Sequence, residues 1–238
     1  MINTNELSEN IPDYKEYDIA IIGAGPAGIM AAISAASSCR INSISICLLE
    51  RNESAAKKLL LTGNGRCNYT ADIDIDEMLS AFGKKGRFFS EAFKEFSNND
   101  LIDFFKAEGI EPEYEKSSEN ETLIKVFPKN KNASSIQQCL IEKLQKNSIY
   151  VFYSFRAEKV LKVKNPVEAK EKYTFKIQPC NNCEFGVLAK KIILATGGKT
   201  YPKTGSTGDG YEIAKNLGHS INELSPYLVP VFSKDRDI

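Results

Sequence analysis

The chain carries no net charge, no long apolar run and no recognisable signal segment. Its 31 basic residues balance 31 acidic ones, so it lacks the basic excess that is typical of nucleic-acid-binding proteins. No apolar run reaches the ~20 residues that a membrane-spanning helix needs, and the polar N-terminus does not resemble a signal peptide. We therefore expect a cytoplasmic protein with a small-molecule organic substrate and with no nucleic-acid or membrane partner.

Residues for metal binding and side-chain catalysis are also scarce. His219 is the single histidine, and it follows a predicted helix end, where a capping or solvated role explains it as well as general-base catalysis does. Cys180 and Cys183 form a C-x-x-C pair, which leaves a redox or zinc role open, but no second pair completes a zinc site. The sequence predicts no metal site and singles out no catalytic residue. We expect reduced thiols at all six scattered cysteines, which are Cys39, Cys47, Cys67, Cys139, Cys180 and Cys183.

A glycine motif is the most informative feature that is present. Residues 18–22 form an apolar run without polar alternation, which is typical of a strand buried on both faces of a parallel sheet. Gly23, Gly25 and Gly28 follow in the pattern G-x-G-x-x-G, and an alanine-rich helix is predicted from Ala27 onward. The first glycine allows a tight turn, the second lets the backbone approach a pyrophosphate, and the third lets the helix pack closely on the strand. The free amides at the helix start would then face the phosphates.

An acidic residue in the expected place supports this interpretation. Glu50 ends the apolar run 45–49, at the distance where dinucleotide-binding folds place a carboxylate that accepts hydrogen bonds from ribose hydroxyls. A glycine-rich turn that binds nothing is the alternative. Strand, glycines, helix, second strand and acid all occur in the required order, which favours dinucleotide binding. The motif by itself leaves NAD, NADP and FAD open.

Two later glycine-rich loops follow predicted strands. One covers residues 57–68, after the strand that ends at Glu50, and the other covers residues 204–210. A buried strand at 191–196 leads into Gly197 and Gly198 before the second loop. Ligands of doubly wound sheets lie beyond the carboxyl ends of the strands, so both loops are expected to reach the same cofactor.

The whole pattern predicts an α/β fold, a three-layer Rossmann-like parallel sheet with an antiparallel β-meander. Residues 1–16 are predicted to be a loose tail. Helical spacing predicts three short helices within 76–109, the last with Asn98 or Asn99 as its N-cap and Gly109 as its stop, and their phenylalanines are assigned to core packing. The other predicted elements are two strands within 111–128, a helix at 133–146, a central strand at 148–153, meander strands at 159–164, 173–177 and 185–189, and a helix at 211–217 ended by Gly218.

Three segments together carry a family resemblance: G-A-G-P-A-G, K-L-L-L-T-G-N-G-R-C-N, and A-T-G-G-K-T-Y-P-K-T-G-S-T-G-D-G-Y. They resemble the BaiN-like flavoproteins, also described as NAD(P)/FAD-dependent oxidoreductases or aminoacetone oxidase family FAD-binding enzymes. The resemblance implies FAD binding, with Val160 just after a strand offering backbone contacts to adenine and Cys67 serving as a small side chain and not as a catalytic thiol. The implied cofactor-binding residues are Gly23, Gly25, Pro26, Ala27, Gly28, Glu50, Arg51, Lys58, Thr62, Gly63, Asn64, Gly65, Arg66, Cys67, Asn68, Val160, Thr196, Gly197, Gly198, Thr207, Gly208 and Asp209.

The resemblance also implies an activity, in which FAD takes a hydride from NADH or NADPH and passes it to an organic acceptor. Family members continue past the P-x-L-V-P segment, here residues 226–230, into a substrate-covering domain and then return with a final FAD-binding segment. We therefore expect residues 17–226 to form an FAD-binding domain that lacks this returning segment, and residues 227–238 to begin a missing substrate domain. The alternative is a non-catalytic FAD-binding fragment or remnant of such an enzyme.

Overall fold

The computed structural model describes residues 13–38, 44–118, 122–163, 174–180 and 184–225. The strands are β1 (Asp13–Ile22), β2 (Ile46–Leu49), β3 (Thr70–Asp72), β4 (Pro112–Lys116), β5 (Ile124–Pro128), β6 (Tyr150–Phe152), β7 (Ala157–Lys162), β8 (Phe175–Pro179) and β9 (Phe185–Leu194). The α-helices are α1 (Pro26–Ser38), α2 (Ile75–Ala81), α3 (Gly86–Glu95), α4 (Asn98–Ala107), α5 (Ala133–Lys146) and α6 (Asp209–Asn216). Short 3-10 segments lie at Lys57–Gly65, Gly83–Lys85 and Pro202–Thr204.

A six-stranded sheet with the order β6-β2-β1-β9-β8-β7 forms the centre of the described structure. Strand β1 pairs in parallel with β2 on one side and with β9 on the other, and β6 extends the parallel set beyond β2. Strands β7, β8 and β9 are antiparallel neighbours at the other end. The predicted α/β fold with a Rossmann-like parallel sheet and an antiparallel meander is confirmed, and the meander belongs to the same sheet.

Apolar side chains leave β1 toward both faces of this sheet, which explains its lack of polar alternation. Ile21 packs on the face that α1 and α5 cover. Ala20 and Ile22 pack on the opposite face, where the core continues into β7–β9 and reaches Ile213 of α6. The carboxyl end of β1 is therefore fixed from both sides, and this rigid frame positions the turn that follows it.

A smaller antiparallel sheet, β3-β5-β4, packs beside α4. The predicted N-cap of α4 was wrong, because Ser97 caps the helix and forms a reciprocal capping box with Asp100. Asn98 is buried, and its side-chain amide donates to the carbonyl oxygens of Ala71 and Ile73 at 3.0 and 2.9 Å. Its role is to attach α4 to β3, a long-range contact that the local sequence does not reveal.

The assignment of the phenylalanines at 82–105 to the core was correct only in part. Phe105 is 3% exposed and belongs to the main core. Phe88 is 84% exposed, and Phe82 and Phe96 are also largely exposed. The rings of Phe82, Phe88 and Phe89 contact one another instead. Helical spacing indicates which residues share a face but not whether another element covers that face, so the prediction failed for α3.

The sheet corrects three predictions about strands. Asp13 to Glu16 do not belong to a loose tail, because they pair with β9 from Phe185 onward. Strand β6 is an edge strand and not a central one, which agrees with the exposure of Tyr150. The segments predicted as separate strands at 185–189 and 191–196 form the single strand β9, which pairs with β1 along both segments.

The remaining predicted elements agree with the structure where it describes them. The three short helices, the two strands within 111–128, the helix at 133–146 and the helix that Gly218 follows are all present. No helix in the described ranges is long and apolar enough to span a membrane. Predictions about residues 1–12, 226–238 and Cys183 fall outside the described residues, and so the C-x-x-C hypothesis is not tested.

Candidate dinucleotide-binding site

A cavity of about 710 Å³ lies where β1, β2 and β9 end at their carboxyl edges. Parallel strands bring the segments that follow them to one edge of the sheet, which is where ligands of such folds bind. The cavity is lined by the glycine turn after β1, the acidic segment after β2 and the Ala195–Gly197 segment after β9. Residues from Ala56 to Lys58, Phe155 to Ala157, Thr204 to Ser206 and Asp209 to Ala214 complete the wall.

The three motif glycines have different roles. Gly23 has φ +106°, and an added Cβ would lie 2.5 Å from the carbonyl oxygen of Ala195. A Cβ on Gly28 would overlap the carbonyl oxygen of Gly23. A Cβ on Gly25 would meet nothing within 4 Å, and Gly25 borders the cavity. The fold itself therefore requires Gly23 and Gly28, whereas Gly25 keeps the space over the turn open.

The first turn of α1 borders the same open space. Pro26 occupies the first helical position, where its missing N–H costs no hydrogen bond, and Pro26 and Ala27 both line the cavity. The amides of a first helical turn have no acceptor within the helix and carry the positive end of the helix dipole. The turn thus offers hydrogen-bond donors to an anionic group above Gly25.

Glu50 lies at the end of β2 and is only 6% exposed. Its Oε2 accepts a hydrogen bond from the Ala24 amide at 2.9 Å, and its Oε1 accepts from the amide and side chain of Asn52 at 2.8 and 2.7 Å. The carboxylate therefore holds the glycine turn against the end of β2. A carboxylate has about four acceptor sites, so its oxygens also have capacity for ligand hydroxyls.

The predicted residues Arg51, Thr207 and Asp209 contact one another, and Arg51 and Asp209 line the cavity whereas Thr207 does not. Arg51 Nη1 lies 2.6 Å from Thr207 Oγ1 and 3.2 Å from Asp209 Oδ2, and Arg156 Nε lies 3.0 Å from the same Oδ2. Burial opposes ionisation of Asp209, but hydrogen bonds from Thr207 and Arg156 and the charge of Arg51 outweigh it, and the pKa of Asp209 is lowered. The ion pair with Arg51 attaches the start of α6 to the segment after β2, and the ion pair with Arg156 attaches it to the segment between β6 and β7.

Lys58 connects the second glycine-rich loop to the third. Its Nζ donates to Ser206 Oγ at 2.8 Å and lies 3.6 Å from where a Cβ on Gly197 would be. Lys58, Gly197 and Ser206 all line the cavity. A positive charge is thus held at the wall beside the segment that follows β9.

The residues after Lys58 do not all join this cavity. Gly63, Asn64, Arg66 and Asn68 line a second cavity of about 430 Å³. Thr62 donates its hydroxyl to the carbonyl oxygen of Leu59. The remaining predicted members of the loop are Gly65, with φ +83°, and Cys67, which is buried with φ +60°.

The Cys67 thiol is suited to packing. Burial raises its pKa, and a hydrogen bond with Thr62 offsets this only in part. A buried thiol with a raised pKa carries little thiolate and is a poor nucleophile. This environment agrees with the implied role of a small side chain and gives no support to a catalytic one.

Val160 does not occupy the position that was predicted for it. It lies within β7, pairs with Ile177 and is 5% exposed in the core. The position after a strand was implied by the family resemblance alone, and it conflicts with the strand predicted at 159–164, which already contains Val160 and which the structure confirms as β7. Residues Phe155, Arg156 and Ala157, which precede Val160 on the way into β7, line the cavity instead.

The last predicted residues shape the third loop. Thr196 lines the cavity, and a Cβ on Gly210 would overlap its Oγ1, so α6 approaches the end of β9 closely. Gly208, with φ +91°, caps α6, and a Cβ on Gly198 would lie 3.7 Å from Tyr211 Oη. Gly198 and Gly208 are not among the lining residues and support the loop from outside the cavity.

Sequence reasoning missed several lining residues, namely Asn52, Phe155, Arg156, Ser206 and Tyr211. Asn52 and Phe155 follow parallel strands β2 and β6, and this position is a signal that could have indicated them. Arg156 reaches Asp209 across 53 residues of sequence, and no local pattern encodes such a pair. The described residues contain no cluster of metal-ligating side chains.

Comparisons with known proteins agree with this geometry. The chain is 31% identical over 215 residues to a 3-dehydro-bile acid delta(4,6)-reductase of Clostridium scindens, covering 89% of this chain and 46% of that protein. It is 29% identical to a ribosomal RNA dihydrouridine synthase of Escherichia coli, covering 91% of this chain and 48% of that protein. The chain thus spans about half the length of these curated relatives.

A solved structure and a family model extend the comparison. The fold is similar to that of a flavocytochrome c3 fumarate reductase, with a TM-score of 0.61 at 16% identity, over 87% of this chain and 41% of that one. The model of the HI0933-like protein Rossmann domain matches residues 17–226. That match covers all three glycine-rich segments and confirms the resemblance inferred from them. The chain therefore belongs to the HI0933-like Rossmann-domain family.

Proposed function

We propose that the cavity at the carboxyl ends of β1, β2 and β9 binds FAD, and that this chain is the dinucleotide-binding part of a flavin-dependent oxidoreductase. The open space over Gly25 carries the proposal, because Gly23 and Gly28 are closely packed while Gly25 meets nothing within 4 Å. A pyrophosphate needs this space, and the first turn of α1 supplies donors for it. FAD is favoured over NAD by the family and by the two later glycine-rich loops.

The chain's own residues fit the parts of such a cofactor. Glu50 accepts three hydrogen bonds from Ala24 and Asn52, so about one of its four acceptor sites, on Oε2, can receive a ribose hydroxyl without rearrangement. Lys58 supplies positive charge at the cavity wall, where it favours an anionic ligand group. The ion pairs of Asp209 with Arg51 and Arg156 keep the third loop against the segments that follow β2 and β6.

The proposed reaction is transfer of a hydride from NADH or NADPH to an organic acceptor. When bound, FAD supplies the hydride-accepting chemistry, and the protein supplies binding, orientation and electrostatics. The names of the two relatives, a reductase and a dihydrouridine synthase, both denote addition of hydrogen to a substrate. We infer that this chain contributes to the reduction of an unsaturated acceptor.

RNA is a second candidate acceptor, supported by the names of two relatives that are ribosomal RNA dihydrouridine synthases. The balanced charge of this chain gives that candidate no electrostatic support, because nucleic-acid-binding domains carry a basic stripe or patch. A small-molecule acceptor therefore remains our proposal.

The test is to mix purified protein with FAD and then with NADH or NADPH without oxygen. We expect the protein to be yellow and the visible flavin absorbance to disappear with at least one nicotinamide. Reoxidation by an unsaturated ketone, compared with reoxidation by an RNA oligonucleotide, would then identify the acceptor class. A flavin that binds but is never reduced would support the alternative of a non-catalytic FAD-binding fragment, and a protein that binds no FAD would refute the proposal.

A further inference from the structure

We propose that the second cavity binds a negatively charged group, a phosphate or carboxylate, of a substrate that this oxidoreductase uses. The inference rests on the proposed function, because it supposes a small-molecule donor or acceptor near the FAD-binding fold. The cavity has a volume of about 430 Å³ and lies between the Gly63–Asn68 part of the second glycine-rich loop and the β4–β5 pair of the small sheet. It is separate from the first cavity in its lining residues.

The glycine-rich loop is seated directly on the small sheet. A Cβ on Gly63 would lie 3.1 Å from a ring carbon of Phe127 and 3.0 Å from the Asn68 amide nitrogen. Gly63 has φ +55°, which is the left-handed region. A side chain at this position would be strained by the positive φ and would require Asn68 or Phe127 to shift by a few tenths of an ångström, so the geometry of the second cavity depends on this motif.

Arg66 is fixed at the wall of this cavity. Its guanidinium carbon lies 4.3 Å from the centre of the Phe127 ring, and its Nη1 lies 3.0 and 2.8 Å from the two carboxylate oxygens of Glu115. Glu115 contacts Nη1 alone, so the pairing does not use both arms of the guanidinium fork. A stacked, ion-paired arginine loses little conformational entropy on binding a further oxyanion, and its planar donors match a carboxylate or phosphate.

The charges around the cavity are unequal. Among the lining residues that the structure describes, Glu115 is the one acidic side chain, whereas Arg66, Lys116 and Lys125 are basic. Lys131 also contacts the Glu115 carboxylate, at 2.8 Å. Lys125 stands directly opposite Glu115 in the β4–β5 register, so the two side chains leave the same face of the sheet. Among the described residues, the Glu115 carboxylate therefore contacts Arg66 and Lys131 and shares its face of the sheet with Lys125, while Lys116, the next residue of β4, leaves the opposite face. An anionic ligand beside Arg66 and Lys125 would balance these positive charges.

A purely structural explanation accounts for part of this arrangement. The Arg66–Glu115 pair by itself could serve only to fix the loop to β4. Lys125 is not needed for that purpose, because Arg66 and Lys131 already neutralise Glu115. The two explanations thus differ in what Lys125 does, and a substitution there separates them.

The test compares Lys125→Glu with Lys162→Glu, a matched charge reversal at an exposed position of β7 that lines neither cavity. FAD-saturated protein is titrated calorimetrically with NADPH, NADH, inorganic phosphate and acetate. We expect Lys125→Glu to bind one or more of these four probes at least about tenfold more weakly than the native protein does, while Lys162→Glu binds all four as tightly as the native protein. Weaker binding of NADPH and phosphate by Lys125→Glu would assign the site to the phosphate of the donor. Weaker binding of acetate alone would assign it to a carboxylate of the acceptor.

Equal binding by the native protein and Lys125→Glu for all four probes would overturn the inference. FAD affinity is measured in parallel and is expected to be the same in both lysine variants. If the native protein binds no FAD, the proposed function fails, but the anion titration can still be done in a Gly25→Val background that blocks the first cavity. The two failures are therefore distinguishable.

Discussion

Removal of the Glu50 carboxylate is expected to destabilise the protein even when no cofactor is bound. In Glu50→Ala the fully buried Ala24 loses the acceptor of its amide, which Glu50 Oε2 provides at 2.9 Å. Hydrogen bonds to charged groups contribute about 1.5–3 kcal/mol each, and Asn52 loses two more contacts but lies nearer the cavity, where water can replace them. We therefore expect a loss of about 3 kcal/mol in the free energy of unfolding.

Urea denaturation of the FAD-free protein measures this loss. With a slope of about 3 kcal/mol per molar, the midpoint should fall by about 1 M. The control is Glu53→Ala, three residues further along the chain and exposed, which should leave the midpoint nearly unchanged. Glu50→Gln keeps one acceptor oxygen and should fall between the two.

The opposite outcome has a clear physical meaning. Burial of a carboxylate is costly unless its hydrogen bonds compensate for it. If Glu50→Ala were as stable as the native protein or more stable, the desolvation cost of the carboxylate would exceed the benefit of its contacts with the glycine turn. That result would refute the claim that Glu50 holds the turn in place.

Three further predictions concern the core, acid stability and a thiol. Phe105 is buried and Phe88 is exposed, so Phe105→Ala should lower the free energy of unfolding by about 3–5 kcal/mol, while Phe88→Ala should change it by about 0.5 kcal/mol or less. Equal urea midpoints for the two variants would show that Phe105 is not the buried member of this pair. Lys190, together with backbone contacts, lowers the pKa of Asp18 to about 2, so the stabilising effect of the Asp18 carboxylate is present above pH ~4 and is lost toward pH ~2. The difference in urea midpoint between the native protein and Asp18→Asn should therefore shrink as the pH falls over that range. A difference that does not change with pH would contradict the role of the Asp18 carboxylate. The Cys67 thiol should react with a maleimide far more slowly in the folded protein than in urea, because burial raises its pKa, and equal rates would show that it is accessible.

Elements with strong local signals could be predicted from the sequence. The helix at Ala133–Lys146 has the predicted bounds, since its apolar residues repeat with helical spacing and Asn132 caps it. The strand, glycine turn and helix at the start of the first motif also agree, because the spacing of the glycines and the apolar run before them is a local signal.

Elements defined by their partners could not be predicted. Lys190 and Lys191 resemble a break between two strands, yet β9 continues through them because β1 pairs with it along both segments and Asp18 forms an ion pair with Lys190. The exposure of Phe88 depends on what packs against α3, which its spacing does not reveal.

In the candidate site, too, residues in local motifs could be predicted from the sequence, whereas residues defined by long-range contacts could not. Gly23, Gly25 and Glu50 were identified from a local motif and Lys58 from the family resemblance, and all four line the first cavity. Arg156 was missed, because its contact with Asp209 exists only after the chain has folded. Arg66 was assigned with the first group but lines the second cavity, and this difference led to the anion-binding proposal.

The central claim, that the space over Gly25 receives the cofactor, is tested most directly by FAD titration of the native protein and Gly25→Val. Quenching of flavin fluorescence reports binding, and urea denaturation of both proteins reports folding. Because a Cβ on Gly25 would meet no atom within 4 Å beyond its chain neighbours, we predict an unchanged urea midpoint and loss of FAD binding in the variant. Equal FAD affinity in two equally stable proteins would contradict the account.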